Sequence, residues 1–422
     1  MLHWSSKFAH CCFFDSHGYP DPDGRFEVLA GAGALRGVSA APGEGWEMLE
    51  RFRVSCRDWI MGHLSFEMKE SQYGKGTARP EDIGFPALHF FQPETVLLLR
   101  DGVLEIGVVH PAGGGRPRAE AVYQEILGIP LPDTAPRSGA VPPGLLWNPR
   151  PGKEDYLAAV TAIQQHLARG DAYEVNFCMR QILTGHAVDA VQLFTRLGEL
   201  SPAPFSALYR LRDRFLASAS PERFLMKEGQ RLLSQPMKGT IRRGNSPGED
   251  AGLRHRLETS PKERSENVMA VDLVRNDLAR TAQPGSVEVT ELCGVYTFPQ
   301  VHQLVSTVRA LARTDVTAEQ VLAAAFPMGS MTGAPKHRVL ELIDRYEGAA
   351  RGIYSGALGY FTPQGDFDFN VVIRSVSCDS REKKISVQTG SGITVYSDPE
   401  AEWEECLLKG HALKQAVEQC LS

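Results

Sequence analysis

The chain has 422 residues, of which 42% are hydrophobic and 23% charged, a balance that is ordinary for a globular protein with a buried core. Its formal net charge of −6 argues against a general nucleic-acid binder, which usually presents a basic face. No segment approaches the roughly 20 apolar residues of a membrane span, and the eight scattered cysteines favour reduced thiols, so the sequence predicts a cytoplasmic protein with no membrane or nucleic-acid partner.

The N-terminal third favours short strands separated by turns. Two stretches rich in proline and glycine, residues 111–117 and 130–144, are typical of linkers. We therefore predict a strand-rich N-terminal subdomain, residues 1–145, packed on a larger unit formed by residues 146–422. Strands are predicted here over residues 95–99 and 103–109.

The rest of the chain mixes predicted helices and strands. Tyr156, Val160, Ile163 and Leu167 recur at helical spacing, which predicts a helix over residues 153–168. Strands in hairpins with interspersed helices indicate the α+β class. Further helices are predicted to begin at Pro261, near Pro335 and near Pro399. Strands are predicted over residues 208–211, 214–218, 231–234, 355–362, 367–376 and 384–389.

Two pairs of glutamates are candidates for a metal site. Glu263 and Glu266 are three residues apart, as are Glu402 and Glu405, and this spacing places each pair on one face of a predicted helix. Their oxygens suit Mg²⁺, which takes one or two protein carboxylates directly and keeps several waters. Ser260 and Glu263 also fit a helix capping box, so the spacing alone leaves capping and metal ligation both open.

Lys238 and Glu222 are candidates for catalysis. Lys238 lies within Pro-Met-Lys-Gly-Thr at residues 236–240, and an apolar setting that lowered its pKa would make its amine an uncharged nucleophile. Glu222 would be a general acid if partial burial raised its pKa. A surface lysine beside a turn and a solvated glutamate are the alternative interpretations.

Two further features indicate anion binding. The glycine-rich segment 326–336 leads into a predicted helix, whose N-terminus favours anions. The segment lacks the P-loop pattern, so a carboxylate suits it as well as a phosphate. Arg374 is predicted inside an apolar strand, where its guanidinium needs either a ligand carboxylate or an internal acid as partner.

Taken in chain order, several segments resemble those of one family. They include Gly-Asp-Ala-Tyr-Glu-Val-Asn, Ser-Pro-Glu-Arg-Phe, Gly-Ser-Met-Thr-Gly-Ala-Pro-Lys and Glu-Trp-Glu-Glu. This succession resembles the chorismate-utilising enzymes, which comprise anthranilate, aminodeoxychorismate, isochorismate and salicylate synthases. The resemblance covers about residues 150–415 and identifies residues 146–422 as a chorismate-binding catalytic core. The segments span residues 170–176, 220–224, 236–240, 266–277, 329–336, 354–360, 373–375, 390–393 and 402–405.

The resemblance implies an anthranilate-synthase-like fold, with two large antiparallel β-sheets packed as a sandwich and helices outside. It implies Mg²⁺ held mainly by Glu266 and Glu405, with Glu263 and Glu402 nearby. Chorismate carries two carboxylates, and the metal and Arg374 are their implied counterparts. The other implied substrate contacts are Thr240, Thr332, Tyr354, Gly390, Gly392 and His302.

Lys238 distinguishes the members of the family. It resembles the lysine of the Pro-Ile-Lys-Gly-Thr motif in aminodeoxychorismate synthases, with Met237 in place of isoleucine, whereas anthranilate synthases carry alanine there. The resemblance implies that Lys238 attacks C2 of chorismate as the C4 hydroxyl leaves with a proton from Glu222, and that ammonia then attacks C4. The product would be 4-amino-4-deoxychorismate, a precursor of 4-aminobenzoate and folate. Glu174 stands where water-using members carry a lysine base, which argues against isochorismate or salicylate formation.

The resemblance also implies a partner. The chain shows no glutaminase nucleophile motif, so ammonia would come from a separate glutamine amidotransferase subunit. Gln303 stands where the family carries a histidine, with His302 one residue earlier, and this departure puts the contact of His302 in question. The alternative functions are anthranilate synthase component I and a non-catalytic chorismate-binding scaffold. The missing P-loop disfavours a nucleotide-binding protein.

Overall fold

The computed structural model describes residues 1–19, 21, 23–74, 76, 79, 81–109, 115–130, 145–298 and 301–421. Helices α1 to α11 are Leu2–Ser5, Gly45–Cys56, Glu70–Tyr73, Gly115–Leu127, Lys153–Ala168, Ala190–Leu200, Pro247–Thr259, Pro261–Ala279, Ala318–Ala325, Lys336–Tyr346 and Pro399–Cys420. Strands β1 to β21 are His10–Asp15, Val28–Ala32, Arg36–Ala40, Ile60–Leu64, Leu88–Gln92, Thr95–Arg100, Val103–Val108, Asn148–Arg150, Glu174–Thr184, Phe205–Leu211, Arg214–Ser220, Arg223–Glu228, Arg231–Ser234, Met237–Arg242, Glu288–Thr297, Val301–Leu311, Gly333–Ala334, Ala357–Phe361, Phe367–Val371, Ser375–Asp379 and Lys384–Ile393.

The strands form two antiparallel sheets. The first runs in the order β17-β9-β21-β20-β11-β10-β1-β2-β6-β7, with β8 also paired to β9. The second runs in the order β14-β16-β13-β12-β19-β18-β4-β5-β3, with β15 also paired to β16. Strands that precede residue 146 therefore extend both sheets, beyond β10 in the first and beyond β18 in the second. The boundary at residue 146 stays a prediction.

The sheets pack face to face with helices on the outside. Cys12 and Tyr209 of the first sheet share one buried cluster with Met61 and Leu358 of the second, as expected where the inner faces of two sheets interdigitate. Helices α6 and α11 cover the outer face of the first sheet, and α2, α8 and α9 cover that of the second. The predicted α+β sandwich is therefore confirmed.

Most predicted elements are present. Residues 153–168 form α5, residues 231–234 form β13, and α8 and α11 begin at the predicted prolines because Ser260 and Asp398 accept hydrogen bonds from backbone N–H groups of the first turn. The predicted linker 111–117 is wrong at residues 115–117, which open α4, while residues 111–114 and 131–144 lie outside the described residues. Among the described helices, none has both the length and the apolar character required to cross a bilayer.

The predicted strand over residues 367–376 is wrong in an informative way. The chain leaves β19 at Val371 and enters β20 at Ser375, and these two strands belong to different sheets. Between them Arg374 adopts a φ of +50°, a left-handed conformation that ends a strand. The apolar run Val371-Val-Ile373 concealed this break, because a periodic pattern does not report a single residue with positive φ. Arg374 therefore lies at a crossover between the sheets.

Candidate active site

Two crossovers between the sheets lie side by side. The chain passes from β11 to β12 through Glu222, and returns from β19 to β20 through Arg374, while β11 pairs with β20 and β12 pairs with β19. The backbone N–H of Val371 donates to the carbonyl of Glu222 (3.0 Å), and that of Ala219 donates to the carbonyl of Arg374 (3.0 Å). The register of two separate strand pairs thus holds the candidate acid and the candidate anion-binding residue together.

Lys238 lies on β14 at an interruption of the ladder. The pairing of β14 with β16 shifts register between Met237 and Thr240, and Gly239 has a φ of +88°. Such a bulge changes the direction in which a side chain points. The Nδ2 amide of Asn267 in α8 donates to the backbone carbonyl of Lys238 (3.2 Å), which fixes the strand against the helix. The side chain of Lys238 is only 14% exposed and forms an ion pair with Glu174 at the start of β9.

The surroundings of Lys238 are acidic, not apolar. Burial alone would lower the pKa of this lysine, but the charges of Glu174, Glu266 and Glu222 outweigh burial and raise it. The prediction that an apolar setting lowers the pKa of Lys238 is therefore wrong. Sequence could not show this, because Glu174 lies 64 positions away and reaches the lysine only through the fold.

Glu222 is buried and has the protonation expected of a general acid. Burial raises the pKa of its carboxyl to about 7, although Ser330 and Lys238 act to lower it. Its side chain is 4% exposed. A substantial fraction of Glu222 is therefore protonated near neutral pH, so the residue can give a proton to a leaving group.

The candidate metal ligands come from α8 and α11. Burial raises the pKa of Glu266 to about 7, and Glu174 and Glu263 add to this effect. Burial also raises the pKa of Glu263, with a contribution from Glu405 across the gap between the helices. Ser260 caps α8 through the backbone N–H of Glu263, so capping leaves that carboxylate free for another role. Glu402 is buried one turn before Glu405 on α11.

The donor set fits Mg²⁺. All four candidate ligands are carboxylates, the oxygen donors that this hard cation prefers. Glu405 raises the pKa of Glu263, and Glu263 raises that of Glu266, a repulsion that a divalent cation would relieve. Lys409 pairs with Glu405 at 2.5 Å, and Lys262 lies 3.9 Å from Glu266. Within the described ranges, no group of three or more His, Cys, Asp or Glu side chains is spaced to hold an ion by itself. The carboxylates thus match Mg²⁺ in the type of donor atom that they offer.

Arg374 presents an unpaired cation to the site. Burial lowers the pKa of its guanidinium, while Tyr354 and Glu405 act to raise it. In the part of the chain that the structure describes, no hydrogen-bond or ion-pair partner faces this guanidinium. Tyr354 beside it is buried, and burial raises the pKa of its phenol well above the usual value, so the hydroxyl keeps its proton. The two side chains can therefore bind a carboxylate together.

The predicted glycine contacts lie against the lysine and β9. A Cβ atom on Gly392 would lie 2.5 Å from Oε1 of Glu174 and 3.1 Å from Nζ of Lys238, so only glycine leaves room for this ion pair. The carbonyl of Gly390 accepts a hydrogen bond from Lys409 (3.0 Å). These positions form the floor of the site under Lys238.

The two predicted threonines make contacts within the chain. The hydroxyl of Thr332 donates to the carbonyl of Met328 (2.9 Å), and its own carbonyl accepts from Asn176 of β9 (2.7 Å). Thr240, which follows Lys238 by two residues, donates to the side chain of Gln303 (2.6 Å). Thr332 thus supports the strand that carries Glu174, and Thr240 lies at the outer end of the bulge.

His302 and Gln303 have different surroundings. Both ring nitrogens of His302 have partners, with Nδ1 2.9 Å from the Thr297 hydroxyl and Nε2 3.0 Å from Asp250. Gln303 instead donates to the carbonyl of Gly239 (2.8 Å), beside Lys238. Both residues pair with the strand that carries Lys238, but only the side chain of Gln303 contacts the bulge beside the lysine, and a substrate contact by His302 stays a prediction.

Asn267 and Lys409 were not predicted to have a role, and Glu174 was used only as evidence against isochorismate or salicylate formation. Glu174 holds the amine of Lys238, Asn267 holds its backbone, and Lys409 binds both Glu405 and the carbonyl of Gly390. A signal existed for Lys409, which follows Glu405 by four positions on a predicted helix. The other two contacts depend on how strands and helices pack.

A cavity in the described part of the chain lies away from the candidate site. It has a volume of about 850 Å³ and is lined by residues such as Asp15, Tyr19, Arg25, Phe205 and Asn370, but by none of the predicted site residues. The candidate site is instead marked by the convergence of Lys238 with five carboxylates and with Arg374, which has no ion-pair partner among the described residues.

Comparison with known proteins gives the same family. A family model described as chorismate binding enzyme matches residues 23–415. An aminodeoxychorismate synthase of Arabidopsis thaliana, named as chloroplastic, is 41% identical over 272 residues, which are 64% of this chain and 29% of that protein. Aminodeoxychorismate synthase component 1 of Klebsiella aerogenes is 39% identical over 302 residues, 72% of this chain and 65% of that protein. The chain thus spans less than a third of the length of the Arabidopsis thaliana relative.

A solved structure supports the fold. Anthranilate synthase component I of Streptococcus pneumoniae superposes with a TM-score of 0.80 at 22% sequence identity, over 94% of this chain and 93% of that one. At this identity the likeness establishes the architecture alone, and it confirms the predicted anthranilate-synthase-like sandwich.

Proposed function

The chain belongs to the family of chorismate binding enzymes, and from that premise we propose that it aminates chorismate at C4 with ammonia to give 4-amino-4-deoxychorismate. The single observation that carries the proposal is the position of Lys238, which is held among Glu174, Glu222 and Glu266. A lysine at this position provides a nucleophile that the anthranilate-forming members lack. The product is a precursor of 4-aminobenzoate and folate.

The substrate would bind between two positive charges. One of the two carboxylates of chorismate would lie against Arg374, whose guanidinium has no ion-pair partner among the described residues, and against Tyr354, whose phenol keeps its proton. Mg²⁺, held by Glu266 and Glu405 with Glu263 and Glu402 nearby, would neutralise the other carboxylate. Thr240, Thr332, Gly390 and Gly392 surround the ring in this proposal.

The reaction consists of two displacements. The neutral amine of Lys238 attacks C2 while the C4–oxygen bond breaks, and Glu222 gives its proton to the departing hydroxyl, which leaves as water. Ammonia then attacks C4, and the C2–nitrogen bond to Lys238 breaks, so that the lysine leaves as an amine. The amino group takes the place of the hydroxyl with retained geometry. Each displacement needs Lys238 and Glu222 close together, as their electrostatic coupling indicates.

Ammonia would come from a glutamine amidotransferase subunit in the cytoplasm. The name component 1, which the Klebsiella aerogenes relative carries, supports a second subunit. The eight free cysteines support a reducing compartment. The chain alone should therefore use added ammonium, and glutamine only when the partner is present.

Anthranilate synthase component I is the second candidate function, since a relative named anthranilate synthase component 1, from Haloferax volcanii, is 39% identical to this chain over 267 residues. The two enzymes differ in product, because anthranilate formation releases pyruvate whereas amination at C4 retains the enolpyruvyl group. The test incubates the purified chain with chorismate, Mg²⁺ and ammonium and identifies the product by mass. Anthranilate would overturn the proposal, and no turnover would favour a chorismate-binding scaffold.

Lys238→Ala separates a nucleophile from a bystander. We expect kcat to fall by at least about 10³-fold, because removal of a covalent nucleophile eliminates the route itself. The mass of the parent chain mixed with chorismate, without ammonia, should rise by chorismate less one water, and the variant should show no such adduct. Full activity of the variant would contradict the assignment.

A further inference from the structure

Lys238 and Glu174 form a pair that the two displacements do not yet explain. Oε1 of Glu174 accepts from Nζ of Lys238, while Oε2 of the same carboxylate is buried and has no hydrogen-bond partner among the residues that the structure describes. Glu174 as a residue is only 1% exposed. Leaving a buried carboxylate oxygen without a hydrogen bond costs folding free energy, so such an oxygen in a folded protein calls for a functional explanation.

The lysine begins in the wrong protonation state for attack. The carboxylates around it raise the pKa of Lys238, so its amine carries a proton at neutral pH. An ammonium has no lone pair and cannot attack C2. A proton must therefore leave Nζ before the first bond forms, and a nearby group must accept it.

The site offers few acceptors. Glu222 has to hold its own proton for the departing hydroxyl, and Glu266 is assigned to the metal. Glu174 contacts Nζ directly, and Gly392 leaves room for this contact because it has no Cβ. Resting on the function proposed above, we propose that Glu174 is the catalytic base that accepts the proton of Lys238 and returns it when the lysine leaves.

Substrate binding supplies the driving force for this transfer. Before binding, Lys238 and Glu174 form an ion pair, with the proton on Nζ. Chorismate would displace water from the site. Removal of water destabilises a charged ammonium–carboxylate pair more than a neutral amine beside a carboxylic acid. The proton then moves from Nζ to a carboxylate oxygen of Glu174, which leaves a neutral pair.

The proton balance closes over one turnover. Lys238 gives a proton to Glu174, the amine attacks C2, and Glu222 gives a proton to the departing hydroxyl. Ammonia attacks C4 and Lys238 leaves with the electron pair of the C2–nitrogen bond. Glu174 then returns its proton to the amine, and the new C4 ammonium gives one to Glu222. The net change is chorismate plus ammonia to aminodeoxychorismate plus water.

Charged groups from several elements face the pair and have to be considered in any pH measurement. They come from the crossover after β11, from α8 and from α11. They are Glu222, Glu263, Glu266 and Glu405, with Lys262 and Lys409 outside them.

The test compares the parent chain with Glu174→Gln, which keeps the size and an accepting oxygen but cannot hold the proton. The readout is the rate of adduct formation with chorismate and Mg²⁺, without ammonia, followed by mass from pH 6 to pH 9. We expect the variant to be about 10²-fold slower at pH 7, and the ratio of the two rates to shrink as pH rises, because solvent bases then replace the missing one. The ratio cancels the effect of Glu222, which both proteins share.

Two further variants guard the interpretation. Asp344→Asn also removes the carboxylate from a buried lysine, Lys69 (3.0 Å), and should leave both rate and pH profile unchanged. Glu174→Asp keeps a base at a greater distance from Nζ and should recover part of the rate of adduct formation. If Glu174→Gln does not fold, Glu174→Asp is compared with the parent in its place. A rate for Glu174→Gln equal to or above that of the parent at pH 7 would overturn the inference, because a residue that only positions or restrains the lysine predicts that result. No adduct on the parent would overturn the proposed function together with the inference.

Discussion

Two guanidinium groups near Tyr354, those of Arg351 and Arg374, have opposite surroundings. Arg351 donates to Glu347 (2.6 and 2.9 Å) and to the carbonyls of Met331 (2.7 Å) and Asn176 (2.9 Å). Arg374 has a lowered pKa because of burial, and no described residue pairs with it. The difference indicates that a buried charge with a structural role has ion-pair and hydrogen-bond partners within the chain, whereas a charge that binds a ligand has none until the ligand is bound.

Arg351→Met should give the largest loss, and it is a loss of stability. The substitution leaves Glu347 buried without a counter-charge and removes the support of β9, which together should lower the free energy of unfolding by about 3–5 kcal/mol. The measurement is the denaturant midpoint of each protein. The double variant with Glu347→Gln should recover part of the loss, and an unchanged midpoint for the single variant would show that this region is not structural.

Arg374→Met should reverse that pattern. Removal of an unpaired buried cation should leave the denaturant midpoint unchanged or raise it, since its desolvation cost disappears. The value of kcat/KM for chorismate should fall by about 10²- to 10³-fold, equivalent to roughly 3–4 kcal/mol of lost carboxylate binding. Steady-state kinetics and denaturation on one preparation provide both values. A variant that is destabilised but retains its KM would erase the contrast between the two arginines.

Glu222→Gln should act on rate and on pH dependence. The pKa of Glu222 is raised to about 7, so the acid form is present below that pH and is lost as pH rises through it. The parent should therefore form adduct more slowly above pH 7. The variant should be about 10²-fold slower and lack this decline. The measurement is the single-turnover rate of adduct formation as a function of pH. If the rate of the variant also declines above pH 7, the decline belongs to a group other than Glu222.

His302→Asn should have the smallest effect on catalysis. Both ring nitrogens of His302 already have partners, Thr297 and Asp250, so we expect kcat/KM to change by less than about twofold. Loss of one buried hydrogen bond should cost about 1 kcal/mol of stability. Gln303→Ala serves as the contrasting variant, because Gln303 contacts Gly239 beside Lys238. A tenfold rise in KM for His302→Asn would instead support the predicted contact between His302 and the substrate.

The sequence predicted elements and motifs better than contacts. Helix α5 and strand β13 follow from local periodicity, and the long motifs identify the family because each is a run of adjacent residues. The pair of Lys238 and Glu174 could not be found in this way, since it depends on the register of β9 beside β21 and on a bulge in β14. The same holds for Arg374, whose single positive φ turns one predicted strand into a crossover.

The strands that precede residue 146 have a consequence for any attempt to excise the catalytic core. They cover β10 in one sheet and β18 in the other, so a fragment that starts near residue 146 would expose two rows of unpaired backbone N–H and C=O groups. Such uncovered edges recruit strands from other molecules. We therefore expect the shortened protein to self-associate or precipitate even though every residue of the site is retained, and the N-terminal strands to act as protection against aggregation.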